Sequence, residues 1–147
     1  MKCLGRHHQV KPSLSHVPLF KGGNFKGQLG LGDNLLQCTW TNISVRISCG
    51  TNNSFIIKNN GDSYATGDNS YGQFGVGNTI NSNTFIPNGS AVESITSGYS
   101  HSLVLCNGGI ICGTGYNNYG QLGFGDTTQR YGWTTNGSGV KATACGT

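Results

Sequence analysis

A histidine next to a serine is the pair in this sequence closest to nucleophilic chemistry. In His101-Ser102 the imidazole could act as a base for the hydroxyl, but such catalysis also needs a third group that orients the histidine. The equivalent positions in an earlier copy of an internal repeat hold Asn53-Ser54, which contain no base. We therefore interpret the pair as hydrogen-bonding groups at the start of a strand, and predict no catalytic residue and no enzyme.

The six cysteines could supply thiolates or metal ligands, but their spacing favours neither. No Cys-x-x-Cys pair occurs, although structural zinc sites commonly contain one. Cys49, Ser97 and Cys145 occupy one repeat position, and the exchange of cysteine with serine there indicates a small buried side chain rather than a nucleophile. We predict reduced thiols that are mostly buried as small apolar groups.

Chemistry based on metals, phosphates or carboxylates has little support. The glycines are spaced Gly-x-x-Gly-x-Gly with no Gly-Lys-Ser/Thr after them, so they do not form a phosphate-binding loop. Asp33 and Asp126 are repeat equivalents, which argues against a catalytic carboxylate pair. Four N-terminal residues could hold an adventitious metal ion but lack an ordered ligand spacing. They are Cys3, His7, His8 and His16. We predict no cofactor and no metal site.

The tyrosines remain as candidates for function through contact rather than through chemistry. Tyrosine is enriched at protein interfaces, and five of the six could form an aromatic contact surface. Two of them share a repeat position, so packing within the fold explains them equally well. The five are Tyr71, Tyr99, Tyr116, Tyr119 and Tyr131.

A seven-residue motif that occurs three times must position these residues. Its copies begin at Gly27, Gly72 and Gly120, and an asparagine lies three positions before each copy. The spacing of the copies falls within the range of roughly 20–50 residues that predicts solenoids or propellers. We expect the glycines to adopt positive φ or to allow close backbone approach, and the Leu or Phe to pack as a plug. The structural repeat signature comprises Gly27, Gln28, Leu29, Gly30, Gly72, Gln73, Phe74, Gly75, Gly120, Gln121, Leu122 and Gly123.

The stretches upstream of the motifs predict short strands. Residues 55–58 and 63–66 flank an Asn-Asn-Gly-Asp turn, and residues 103–105 and 110–114 flank Asn-Gly-Gly. Both patterns favour β-hairpins. Each hairpin is preceded by another short apolar segment, near residues 45–48 and 92–96.

Composition supports many short strands and tight turns. Glycine supplies 25 of the 147 residues, and only 10% of the residues are charged. Each glycine inside a helix costs roughly 0.5–1 kcal/mol relative to alanine, so this content argues against helices. No apolar run approaches the roughly 18 residues of a membrane-spanning helix, and we expect no membrane partner.

The net charge of +4 belongs to the N-terminal residues. The first 26 residues contain five basic and no acidic residues, whereas the rest contains four basic and five acidic residues. A nucleic-acid interface needs basic residues clustered on a folded face, so we expect the folded body to bind no nucleic acid. A secretory signal needs an apolar stretch of about 7–15 residues. None occurs, and we expect an intracellular location, cytoplasmic or nuclear.

The motif Asn-x-x-Gly-Gln-Leu-Gly-x-Gly-Asp resembles the repeat of the regulator of chromosome condensation family. Residues 98–105, Gly-Tyr-Ser-His-Ser-Leu-Val-Leu, and residues 64–69, Tyr-Ala-Thr-Gly-Asp-Asn, are similar to the same repeat. The family often carries tryptophan where Thr66 and Thr114 stand, so one packing position departs from its pattern. The resemblance covers roughly residues 22–147 and implies a seven-bladed β-propeller of four-stranded blades.

The chain would supply about two and a half repeats of such a ring. We expect an unassigned basic segment over residues 1–21 and propeller repeats over 22–147. The fold class would be all-β, a partial propeller that is open rather than a closed ring, and its unpaired edges could self-associate. Such a chain could be a fragment of a longer protein, which we place first, a partial gene model, or a protomer that completes its ring with other copies. The repeats are a partial one at 22–48, full ones near 49–96 and 97–144, and the start of another at 145–147.

The resemblance also frames the function. Founding members of the family act as guanine-nucleotide exchange factors for the small GTPase Ran, and others are ubiquitin-ligase adaptors, ciliary proteins or kinases. Exchange residues lie in irregular loops and cannot be mapped onto this chain. We therefore predict a non-catalytic protein-interaction module with a protein partner. The alternative is an exchange-factor-like regulator of a small GTPase, and an enzyme that uses His101 or a cysteine has the least support.

Overall fold

A computed structural model describes residues 19–22, 26, 28, 37–42 and 46–146. These residues form ten β-strands, and none of them lies in a helix long and apolar enough to cross a membrane. The strands are β1 (Leu19–Gly22), β2 (Gln37–Asn42), β3 (Arg46–Cys49), β4 (Asn53–Ile57), β5 (Ser63–Gly67), β6 (Ser82–Gly89), β7 (Val92–Ser97), β8 (His101–Cys106), β9 (Ile110–Gly115) and β10 (Arg130–Gly137).

The strands form two four-stranded antiparallel sheets and one two-stranded sheet. We call β3–β6 the first blade, β7–β10 the second blade and β1–β2 the half-blade. Within each, every strand pairs with its neighbour in sequence. The half-blade corresponds to the third and fourth strands of a blade, because its pair Phe20↔Thr41 matches Ala65↔Ile86 of the first blade in repeat register. An open, all-β partial propeller confirms the predicted fold class.

Both predicted hairpins are confirmed. The backbone N–H of Lys58 donates to the carbonyl of Asp62 at 2.8 Å, and that of Gly109 donates to Cys106 at 3.2 Å. The two apolar segments upstream of the hairpins are β3 and β7. The sequence patterns do not predict β6 and β10, whose residues are mostly polar and only partly buried.

The main apolar core lies between the two blades. The rings of Phe55 and Phe74 meet edge to face inside it, with their centroids 6.3 Å apart. Full burial of such a side chain stabilises the fold by roughly 1.5–3 kcal/mol, so each blade depends on its neighbour. The buried members of this core are Phe55, Ile57, Ala65 and Phe74 from the first blade and Val92, Ile95, Val104 and Cys112 from the second.

A two-residue turn joins one blade to the next. Ser90 and Ala91 connect β6 to β7, and Ala91 has a φ of 56°, the only positive φ of a non-glycine residue in the described part of the chain. The N–H of Val92 then donates to the carbonyl of Gly61 at 3.0 Å. The first strand of the second blade is therefore attached to the hairpin of the first blade.

The same junction recurs after the second blade. Gly139 has a φ of 76°, and the N–H of Val140 donates to the carbonyl of Gly109 at 3.0 Å. Further along, the Sγ of Cys145 lies 3.2 Å from the Oγ1 of Thr96. Residues 139–146 therefore follow the path that residues 91–98 take one repeat earlier.

The expectation of a buried side chain at the shared cysteine position is wrong. Cys49 is exposed, and Ser97 and Cys145 are half-buried. The residue at this position is the last one of the first strand of a blade, just before the chain turns, so its side chain is only partly shielded from solvent. The prediction that the thiols are mostly buried is also wrong, because only one of the four cysteines whose side chains are described is buried. The four are Cys49, Cys106, Cys112 and Cys145, and none of them is bonded to another described cysteine.

Candidate functional site

A buried asparagine organises the loop that follows the third strand of each blade. Asn69 is fully buried, and its Nδ2 donates to the carbonyls of Asn78 at 3.0 Å and Ile80 at 3.2 Å. Its Oδ1 accepts the N–H of Phe74 at 2.9 Å. Asn117 makes the equivalent bonds with Asp126, Thr128 and Leu122. Because buried amides are costly when unpaired, these bonds fix one loop conformation in both blades.

The other signature residues hold the tyrosines that precede them. The Oε1 of Gln73 accepts the N–H of Tyr71 at 2.9 Å, and the Oε1 of Gln121 accepts that of Tyr119 at 3.0 Å. The Oε1 of Gln28 accepts from Lys26 in the same way. The described motif glycines have φ between 73° and 83°, where glycine has no steric penalty. These are Gly72, Gly75, Gly77, Gly120, Gly123 and Gly125, whereas Gly27, Leu29 and Gly30 lie outside the described residues.

Four tyrosines gather at one end of the two blades. In an antiparallel meander the turn after the first strand and the loop after the third lie at the same end. Tyr99 lies in such a turn, and Tyr71, Tyr116 and Tyr119 lie in such loops. The ring centroids of Tyr71 and Tyr116 are 5.2 Å apart, and those of Tyr116 and Tyr119 are 6.0 Å apart. We call these four residues the tyrosine row.

The tyrosine row borders a cavity of about 660 Å³. None of the described lining residues carries a charge at neutral pH. Aromatic rings and short polar groups therefore give this surface its chemistry, which suits contact with another molecule better than acid–base work. The other lining residues are Ser100, His101, Leu103, Gln121, Ala144, Cys145 and Gly146.

The histidine and serine at the start of β8 do not form a dyad. Successive residues of a strand point to opposite faces, and Ser102 is fully buried with its Oγ 3.1 Å from that of Ser97. His101 lines the cavity instead, and burial lowers the pKa of its imidazole below the ordinary 6.5. The side chain is therefore neutral at pH 7, and Ser102 is not available to it.

The thiols of Cys145 and Cys106 are poor nucleophiles. Burial raises the pKa of Cys145 and of Cys106, which keeps both protonated at neutral pH. The Sγ of Cys145 also donates to the carbonyl of Thr96 at 3.3 Å. Within the described ranges no group of three or more His, Cys, Asp or Glu side chains could hold a metal ion. The N-terminal candidates Cys3, His7, His8 and His16 lie outside those ranges.

Tyr131 has a different position from the other four tyrosines. It lies on β10, does not line the cavity, and packs across the interface between the blades. A Cβ atom on Gly72 would lie 2.8 Å from the Cα of Tyr131. Trp133 covers Gly75 in the same way, since a Cβ there would lie 2.5 Å from its Cε2. The fourth strand of the second blade thus closes over the motif loop of the first.

Sequence reasoning missed a second pair of structural asparagines. The Nδ2 of Asn88 donates to the carbonyl of Phe74 at 3.0 Å, and that of Asn136 donates to Leu122 at 2.8 Å. These bonds tie each fourth strand to the plug of the motif. The sequence could have revealed this pair, because both asparagines begin an Asn-Gly-Ser tripeptide and occupy the same position in successive repeats.

Comparisons with known proteins agree with this architecture. Models of the regulator of chromosome condensation (RCC1) repeat match residues 45–73 and 92–121, and residues 60–105. Together they run from 45 to 121, just over half of the chain. The X-linked retinitis pigmentosa GTPase regulator of Canis lupus familiaris is 35% identical over 85 residues, which are 52% of this chain and 8% of that protein.

Solved structures share the fold at lower identity. Human WBSCR16 superposes with a TM-score of 0.71 and 23% identity, over 86% of this chain and 37% of that one. Prp20p from Saccharomyces cerevisiae is described with its binding properties to Gsp1p and histones. It superposes with a TM-score of 0.64 and 21% identity, over 84% of this chain and 34% of that one. The chain thus spans about a third of these structures and less than a tenth of the curated relative. With its repeat motif, its four-stranded blades and these matches, the chain belongs to the regulator of chromosome condensation repeat family.

Proposed function

We propose that this chain is a non-catalytic protein-interaction module whose tyrosine row binds a protein partner. The observation that carries the proposal is the exposure of these rings on loops of fixed conformation. Tyr99 is 58% exposed and Tyr119 is 86% exposed. Tyrosine is favoured at the energetic centres of interfaces, since it offers a large contact area with few rotatable bonds. Rigid loops further reduce the entropy lost on binding.

The chemistry of the same surface supports binding over catalysis. His101 is neutral, Ser102 points away from it, and the thiol of Cys145 is protonated. A nucleophilic site needs an activated group with a base in hydrogen-bond reach. Free thiols also fit a reducing compartment, which supports a cytoplasmic or nuclear location.

A retention experiment tests the tyrosine row. The double variant Tyr71→Ser with Tyr119→Ser removes two rings while keeping the backbone bonds to Gln73 and Gln121. Proteins retained from a lysate by the wild-type chain should be lost with this variant, because it removes the contact area. The matched control is Ile110→Ser, which removes a 40% exposed aliphatic side chain away from the cavity. A set of retained proteins that is identical for all three chains would contradict the proposal.

A regulator of a small GTPase is the second candidate. It is favoured by the GTPase-regulator relative and by the description of Prp20p with its binding to Gsp1p. The test is the release of fluorescent GDP from purified small GTPases, including a Gsp1p-type protein. We expect no acceleration by the 147-residue chain. If the wild-type chain strongly accelerates GDP release and the double tyrosine variant does not, the proposal of a non-catalytic interaction module is wrong and the chain is an exchange factor.

A further inference from the structure

Four asparagines of this chain are followed directly by glycine. Asparagine is a thermolabile residue, and it reacts most readily in this dipeptide, because glycine has no side chain to obstruct the approach of its own backbone nitrogen to the asparagine amide. The reaction requires a free side-chain amide, a free glycine N–H and a backbone that can rearrange, so the structure distinguishes the four positions. They are Asn60, Asn88, Asn107 and Asn136.

Two of the four asparagines are held in the fourth strands of the blades. The Nδ2 of Asn88 and that of Asn136 donate to carbonyls of the motif loops at 3.0 and 2.8 Å. The glycines that follow them, Gly89 and Gly137, are paired with residues of a neighbouring strand. Both the amide and the glycine backbone are therefore restrained, which protects these two asparagines from attack.

Asn60 lies in the hairpin turn of the first blade and is restrained as well. Its Oδ1 accepts the N–H of Asp62 at 3.1 Å, and its Nδ2 donates to the Oδ2 of Asp62 at 2.8 Å. The N–H of Gly61 donates to the carbonyl of Lys58 at 2.9 Å. Attack of the Gly61 nitrogen on the Asn60 amide must disrupt these bonds, so the turn slows the reaction.

Asn107 lies in the equivalent hairpin of the second blade without these restraints. Asn107 and Gly108 are both exposed. Within the part of the chain that the structure describes, no group is hydrogen-bonded to the side-chain amide of Asn107 or to the N–H of Gly108. A Cβ atom on Gly108 would have no neighbour within 4 Å, so the space around the attacking nitrogen is open.

The exposure of this turn is a property of the hairpin itself. Asn59 and Asn60 occupy the equivalent positions in the first blade, which is packed against a complete following blade, and both are exposed. A further blade packed against the second would therefore leave Asn107 exposed in the same way. The tip of a hairpin projects beyond the face that a neighbouring blade covers.

We propose that Asn107 is a site of spontaneous deamidation. The backbone nitrogen of Gly108 bonds to the Cγ of Asn107, the bond from Cγ to Nδ2 breaks, and the proton of the Gly108 N–H leaves with Nδ2 as ammonia. Water then opens the cyclic imide at either of its two carbonyl carbons, which yields aspartate or isoaspartate. One water molecule is consumed and one ammonia molecule is released, with no oxidation or reduction.

The product changes the charge and the length of the hairpin. Both products add a carboxylate, and isoaspartate also places its β-carbon in the main chain. The N–H of Gly109 closes the turn by donating to the carbonyl of Cys106 at 3.2 Å, so the longer main chain should open this bond. Because the hairpin lies at the end of the blades opposite to the tyrosine row, this inference is independent of the proposed function.

Peptide mapping by mass spectrometry tests the proposal on the folded 147-residue chain. The chain is incubated at mildly alkaline pH in water labelled with heavy oxygen, so that only conversions during the incubation carry the label. Fragmentation by electron transfer separates isoaspartate from aspartate. Asn107 should convert at least about tenfold faster than each of the other three asparagines, because these must first lose their hydrogen bonds.

Unfolding in guanidinium chloride provides the matched control. All four Asn-Gly pairs lose their restraints there, so their rates should become similar. Asn107→Gln, which must form a larger ring, should abolish the conversion at this position. Hydrogen exchange at the Gly109 N–H should accelerate in the incubated wild-type chain but not in this variant. Equal rates for Asn60 and Asn107 in the folded chain would overturn the proposal, as would an Asn107 that converts only in the unfolded chain.

Discussion

The two blades contain equivalent residues in equivalent loops, but within the part of the chain that the structure describes only the first blade is packed against a complete following blade. Gln73 and Gln121 accept the same backbone N–H at 2.9 and 3.0 Å, yet Gln73 is fully buried and Gln121 is half-buried. Asn69 and Asn117 likewise make the same bonds and are both fully buried. The repeat therefore determines the loop conformation by itself, whereas the neighbouring blade determines how much of the outer face is exposed.

The largest expected difference between the blades concerns their core side chains. Phe55→Ala empties a fully buried position between the blades and should lower the free energy of unfolding by about 4 kcal/mol. Leu103→Ala, at the equivalent half-buried position, should cost about 1 kcal/mol. Urea unfolding at low protein concentration measures both. Ile80→Ala, at a 71% exposed residue, is the control and should change little. Equal losses for Phe55 and Leu103 would contradict the difference in burial between these two side chains.

A smaller difference should separate two glycines with the same backbone conformation. Gly75 and Gly123 both have a φ of 74°, so alanine should cause the same backbone strain at each, about 1–2 kcal/mol. Gly75→Ala must also displace the ring of Trp133, which adds about 1–3 kcal/mol. Thermal unfolding followed by circular dichroism gives the two midpoints. If they coincide, Trp133 adapts freely and the close approach to Gly75 does not hold the blades together.

The smallest expected effect is a pH dependence of stability that comes from His101 in the second blade, where the first blade has Asn53. Burial lowers the pKa of His101 in the folded chain below 6.5, so below that pH the unfolded chain binds the proton more readily. The contribution of His101 to stability is therefore present above pH 6.5 and is lost as the pH falls towards the lowered value. His101→Asn, which places the residue of position 53 there, should flatten the curve of unfolding free energy between pH 7 and 5. Parallel curves for both proteins would contradict the burial of the His101 imidazole in the cavity wall.

Sequence was most informative where local contacts decide the structure. The hairpins after Ile57 and Cys106 follow from glycine turns between apolar segments, and both formed as predicted. The motif glycines adopt positive φ in the loop that Asn69 closes. The sequence predicted either positive φ or a close backbone approach at these positions. Such features depend on residues close to one another in the chain, so a pattern of residue types is enough to reveal them.

Sequence was least informative where separate blades meet. The fourth strands carry no alternating apolar pattern, since their pairing depends on the third strand and on Asn88 or Asn136. The contact between Tyr71 and Tyr116 depends on the distance between two blades. The predicted burial of Cys49 was wrong, because a shared repeat position reveals the type of side chain but not which neighbouring residues shield it from solvent.

The turn at Ala91 and its counterpart at Gly139 each join the end of a blade to the segment that follows it. Their φ values of 56° and 76° show one bend used twice, once at the end of each blade. A side chain other than that of glycine rarely adopts a positive φ, so Ala91 holds this conformation at a steric cost. The hydrogen bond from Val92 to Gly61 and the core beneath the turn must offset that cost.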